Sequence, residues 1–210
     1  MKLNSNTISL VKPGHFVVGC NYWASHAGTQ MWSNWKPDVV DNDLRLLHAS
    51  GLQVLRVFPL WSDFQPLTAL RAGSAIVEYR FGEEPLPDDA CGQAGISAEL
   101  MNRFSQFLDL AAQNNLQCIV GLITGWMSGR LFAPPAFSGL NVLTDPSVIR
   151  WQIRFVNYFV TRFRGHKAIA SWDLGNECNC MASATRDQAY TWTASIANAI
   201  RVADPAGLVI

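Results

Sequence analysis

The run Ala168-Ile169-Ala170-Ser171-Trp172-Asp173-Leu174-Gly175-Asn176-Glu177 decides how the rest of the chain is read. Its first seven residues are a short, mostly apolar stretch of strand length, and Gly175 interrupts it. Asn176 and Glu177 therefore fall where a strand gives way to a loop. In parallel β/α proteins that carboxyl edge of the sheet is where working residues sit, which makes Asn176 and Glu177 candidates for chemistry.

Upstream, the same rhythm recurs. Apolar runs at 16–20, 53–58 and 117–123 read as strands, and each is followed by a stretch of helical period. The first helix spans about 38–50, with Val40, Leu44 and Leu47 on one face and Gly51 as its stop. A second spans about 97–114, with Leu100, Phe104, Phe107 and Ala111 in line. Asp145-Pro146 opens a third, on which Ile149, Ile153, Val156, Val160 and Phe163 form a stripe. Between the second strand and the second helix, residues 59–95 are rich in Pro and Gly, with a hairpin expected around 73–81; long loops of this kind are commonly functional.

Downstream, a helix is expected over about 185–203, and Gly207-Leu208-Val209-Ile210 begins a fifth strand. The series is α/β, and periodicity alone fits either an open doubly wound sheet or a closed (β/α)8 barrel. Glycine-rich phosphate signatures are absent, which weakens a nucleotide-binding sheet. The 210 residues carry 49% hydrophobic and 15% charged side chains, so one domain over 1–210 is expected.

Sixteen basic and sixteen acidic residues cancel, and neither sign forms a run. Nucleic acid and anionic membrane are thereby poor partners, and a neutral one fits better. Five cysteines show no disulfide framework, and the start of the chain has no apolar core of a signal peptide, so a cytoplasmic location is expected. The histidines form no i, i+4 ligand pair and Cys178-x-Cys180 has no second pair, so neither metal nor cofactor is expected. His26, in the loop after the first strand, is the one histidine placed for substrate contact. A carboxyl held among apolar and aromatic neighbours stays protonated and can donate its proton, which suits Glu177 to an acid's role.

Three segments in order, Asn21-Tyr22-Trp23, Leu55-Arg56-Val57-Phe58 and the 168–177 run, resemble clan A of the glycoside hydrolases, and within it family 5, the family of β-mannanases and cellulases. The resemblance implies a (β/α)8 TIM barrel of which only the first four to five βα units are present here. It implies that Glu177 is the acid/base, that Asn176 bonds the sugar 2-hydroxyl, and that Arg56 contacts the nucleophile. Trp23, Trp61 and Trp126, at the ends of the first three strands, would offer faces to pyranose rings, with Asn21 beside them. Read without the resemblance, Arg56 is equally a structural partner of some carboxylate, and Asp173 belongs to the strand wall.

Retaining hydrolysis needs a second carboxylate about 5–5.5 Å from the acid. In this family it comes from strand seven, so the expectation is an incomplete catalytic barrel lacking its nucleophile, in which an open half-barrel favours self-association. Cys178 stands where many family members have proline, and the sugar remains unassigned. The alternatives are a noncatalytic carbohydrate-binding barrel, an inactive fragment, or an unrelated barrel enzyme using Glu177 as a general base.

Overall fold

In the computed structural model, the described residues are 10, 14 and 16–210. The central sheet is built from β1 (Gly19–Asn21), β2 (Val54–Val57), β6 (Gln117–Ile123) and β9 (Ile169–Gly175), all parallel and in the order β1-β2-β6-β9. Each new strand adds to the same side of its predecessor. A doubly wound sheet reverses its strand order at a switch point, whereas a barrel does not, so this order resolves the ambiguity left by periodicity in favour of a barrel arc. Val209 continues the arc through a parallel bridge to Trp172, with the Trp172 N–H donating to the Leu208 carbonyl at 2.8 Å.

The helices that cover the arc are α1 (Pro37–Ala49), α4 (Ala98–Gln113), α5 (Pro146–Phe163) and α6 (Arg186–Ala203). The long segment after β2 is ordered into α2 (Trp61–Phe64), a sheet of β3 (Leu67–Ala72), β4 (Ala75–Phe81) and β5 (Glu84–Pro85), and α3 (Ala90–Gln93). Its β3–β4 turn is at Gly73 and Ser74, so the expected hairpin starts earlier than its sequence suggested. A further small hairpin, β7 (Trp126–Met127) with β8 (Arg130–Leu131), follows β6. Ser128 and Gly129 both have positive φ there, as a tight two-residue hairpin turn requires.

Helix ends follow local chemistry. Pro37 and Pro146 occupy first-turn positions, where the missing N–H costs nothing. Ser97 caps α4 by accepting from the Leu100 N–H, and Thr185 with Gln188 forms a reciprocal capping box on α6. The Asp145 carboxylate accepts from the N–H groups of Ser147 at 2.8 Å and Val148 at 3.2 Å, and from the Ser147 hydroxyl. The Ser147 hydroxyl foremost, with those backbone donors, holds this carboxyl below the usual aspartate range. Its contribution is therefore complete above the unfolded-state pKa and is lost as pH falls through the lower folded-state value. Asp145→Ala should cost about 1 kcal/mol of stability at neutral pH, and the gap from wild type in urea denaturation should close on acidification.

Strand alternation divides the sheet into two faces. Leu55, Val57, Cys118, Val120, Leu122 and Trp172 are fully buried against the helices. The opposite, concave face carries Asn21, Arg56 and Asp173 and stays partly open. Under the helices the core is aromatic: Trp32 meets Phe64 edge-on at 5.3 Å and Phe107 at 5.7 Å, and Phe159 packs on Phe104 at 4.8 Å.

Two expectations are corrected. The first strand begins at Gly19, not at Phe16, because pairing starts at Val54, and Phe16 is 88% exposed. On α5 the buried face is Val148, Trp151, Gln152, Phe155, Val156, Phe159, Val160 and Phe163, with Ile149 and Ile153 only partly covered. The phenylalanines, with more area to bury than the isoleucines, set the rotation of the helix.

Candidate active site

Arg56, the one charge in an apolar strand, organises the carboxyl end of the arc. Its Nε donates to Asp173 Oδ2 at 2.6 Å, with Nη2 2.6 Å from the same oxygen in an ion pair; Nη1 donates to Asn176 Oδ1 at 2.9 Å and Nη2 to the Gly175 carbonyl at 3.0 Å. The guanidinium lies over the Phe58 ring at 4.8 Å. A planar fork is suited to this, since it reaches a carboxylate, an amide oxygen and a carbonyl from one rigid plane. Asp173 also accepts from the Gly175 N–H at 3.1 Å, so this carboxylate belongs to the wall and its pairing, not to the open mouth.

Because Arg56 has only donors, Oδ1 of Asn176 must face it and Nδ2 must face away. Nδ2 then donates to the Trp126 carbonyl at 3.0 Å and reaches Glu177 Oε2 at 3.3 Å. Asn176 is buried, while Glu177 beside it is exposed. Glu177 has φ 47° and ψ 43°, a left-handed backbone uncommon for a residue with a side chain. Strain of this kind collects where geometry serves a site, and here it turns the glutamate out of the strand end. The apolar and aromatic surround expected for Glu177 is not provided by the described residues, which leave it in solvent.

Gly175 is required by proximity. A Cβ there would lie 2.2 Å from the Ile123 carbonyl oxygen of the neighbouring strand. Gly175→Ala should therefore push β9 off β6 and cost about 1–3 kcal/mol. That corresponds to a fall of several degrees in the thermal midpoint, and an unchanged midpoint would show that the strands part without cost.

The other sequence candidates divide. Asn21 lies next to Arg56 in register, exposed on the concave face and with no side-chain hydrogen bond among the described residues. Trp23 is half-buried, and one face of its ring stacks on Phe58 at 5.3 Å and 19°. Trp126 is half-buried and contributes its carbonyl to Asn176. Trp61 does not join them. It is fully buried, stacks on Phe137 at 5.7 Å and donates to Gln65 Oε1 at 2.8 Å, so no pyranose can reach its face. His26 places Nε2 2.8 Å from the Asn34 carbonyl, which makes that nitrogen the donor, while Nδ1 is buried without a partner; its observed role is to tie the loop after β1.

Phe58 is the residue that sequence reasoning missed. It lies between Arg56 on one side and Trp23 on the other, and its carbonyl accepts from the buried Trp32 Nε1 at 2.8 Å. An aromatic two residues after a strand arginine sits on the same strand face, which is the signal that would have found it. Cys178 follows Glu177 with its thiol pushed up to about 12 by burial first and Asp173 second, so it stays protonated and is no nucleophile. Among the described residues no group of histidine, cysteine and carboxylate side chains is arranged to hold a metal ion, and no helix is long and apolar enough to cross a membrane.

No protein-family model matches the chain. It is similar to the mannan endo-1,4-β-mannosidase F of Aspergillus fumigatus, 25% identical over 194 residues, covering 87% of this chain and 41% of that enzyme. Its Aspergillus clavatus counterpart is 26% identical over 194 residues, with 87% and 42% covered. The chain thus spans about two fifths of the length of the curated relatives it matches. Among solved structures, the exo-β-1,4-mannosidase Op5Man5 from Opitutaceae bacterium strain TAV5 matches with TM-score 0.77 and 26% identity, over 100% of this chain and 34% of that one. GH5_18 from Streptomyces cattleya, solved with GlcNAc, matches with TM-score 0.75 and 23% identity, over 92% and 43%.

Proposed function

We infer, for a chain most like glycoside hydrolase family 5 and matching part of its barrels, that these residues supply the acid/base side of a retaining β-mannoside hydrolase. The observation that carries this reading is the Arg56–Asn176–Glu177 relay. Arg56 fixes the Asn176 amide so that its N–H edge, not its oxygen, faces the open mouth beside the Glu177 carboxyl. An N–H there donates to the oxygen of a sugar hydroxyl next to the anomeric carbon and so positions that hydroxyl, whose hydrogen bonds count most in the transition state.

In the first step Glu177 gives its proton to the glycosidic oxygen while a second carboxylate attacks the anomeric carbon and the C–O bond breaks. In the second step the Glu177 carboxylate takes a proton from water, whose oxygen displaces the enzyme carboxylate. The second carboxylate is not assigned among these 210 residues, since Asp173, which shares the network, is committed to Arg56. Trp23, braced from behind by Phe58, is the aromatic face for a neighbouring mannose ring.

The test is hydrolysis of a panel of β-1,4-mannan, β-1,4-glucan and their oligosaccharides, with the anomeric configuration of the first product read by NMR. β-Mannan cleavage that releases the β-anomer is expected. Release of the α-anomer, or cleavage of glucan with mannan untouched, overturns the reading.

A further inference from the structure

On the outer side of the arc, away from Glu177, the segment 86–94 runs beside α5 and leaves an open groove of about 1130 Å³. Arg154, Tyr158 and Arg162 line it from α5, four residues apart along the helix, so their positions repeat about every 6 Å. Asn157 lines the same groove, and Asp88 and Gln93 line it from the covering segment. The Arg154 guanidinium lies over the Trp151 ring at 4.6 Å, and both arginines are exposed. The Asn157 Oδ1 is buried without any hydrogen-bond partner.

We propose that this groove is a second carbohydrate site, which binds an extended β-linked glycan along α5. A row of polar groups repeating once per helical turn matches an extended polymer, whose hydroxyls recur once per ring, better than a compact ligand. Donors and acceptors are mixed, because guanidinium and phenol groups stand beside the Asp88 carboxylate and the Gln93 and Asn157 amides. A hydroxyl gives and accepts, and so satisfies both kinds, whereas a polyanion would bring its charge against the Asp88 carboxylate. The choice of mannan as the polymer rests on the function proposed above, whereas the groove itself does not.

The experiment is electrophoresis of the Glu177→Gln protein through gels containing soluble β-1,4-mannan, so that the polymer is not consumed, with the same protein also carrying Arg154→Ala and Arg162→Ala. Both arginines are exposed, so the fold should tolerate their loss, and Tyr158→Phe is a milder third variant that removes one hydroxyl. Retardation by mannan is expected, weakened about tenfold in apparent affinity by the double replacement. Hydrolysis of a short aryl β-mannoside should be unchanged when Arg154 and Arg162 are replaced in the protein that retains Glu177. Equal retardation with and without the arginines overturns the site, as does retardation by a polyuronate in place of mannan, or by neither polymer. Groove-dependent retardation in a protein that hydrolyses no mannoside would leave the site standing and remove the proposed function alone.

Discussion

Glu177→Gln should lower turnover of unactivated β-mannooligosaccharides by about 10² to 10⁴-fold, the usual worth of a positioned general acid. The substituted amide keeps the shape of the side chain and cannot deliver a proton to the glycosidic oxygen. Glu177 is exposed and makes no ion pair among the described residues, where its side chain accepts from Asn176 Nδ2 at 3.3 Å. The thermal midpoint should therefore stay at the wild-type value while activity falls, which separates chemistry from folding. An aryl mannoside with a good leaving group needs little protonation, so its first step should survive far better than that of the oligosaccharide. An equal loss on both substrates would mean that the side chain positions sugar and does not donate the proton. Full activity on both would move the acid elsewhere.

The arc was legible in the sequence to the extent that its determinants are local. Apolar strand runs, prolines at helix starts and the Ser97, Asp145 and Thr185 caps each act within a few residues, and helices appear within one or two residues of where those signals place them. Long-range partners were hidden. Nothing near Arg56 in the sequence announces that its carboxylate is Asp173, 117 positions later, and nothing near Trp61 shows that α2 turns its ring under Phe137. The rotation of α5 was misjudged for the same reason: periodicity ranks apolar positions alike, whereas packing ranks them by the area they bury, and Phe155 and Phe159 outweigh Ile149 and Ile153. The short hairpin at 126–131 is absent from the sequence expectations, and its consequence, a carbonyl aimed at Asn176, exists only once β6 and β9 are side by side.

Arg56→Met should be the most damaging single change to the wall, because it removes every donor that Arg56 provides while leaving the acceptors in place. The Asp173 side chain keeps 13% of its exposure, so it would be left as a largely buried charge without its cation. Breaking such a pair from one side typically costs 3–5 kcal/mol, and about 3 kcal/mol is expected because the Arg56 side chain retains 29% exposure and water can partly replace it. Arg56→Lys should recover only part of this, since a single ammonium cannot reach Asp173, Asn176 and the Gly175 carbonyl in one plane. Adding Asp173→Leu to Arg56→Met should restore stability toward wild type, because the uncompensated charge goes with it. Activity should not follow, for the Asn176 amide has then lost the one donor that fixes its oxygen, and Nδ2 no longer has to face the mouth. Urea denaturation and kcat/KM on mannooligosaccharides for the two single variants and the pair read these terms separately. Recovery of both stability and activity in the pair would make Arg56 a structural counter-ion only. Stability without activity assigns to Arg56 the orientation of Asn176 beside Glu177.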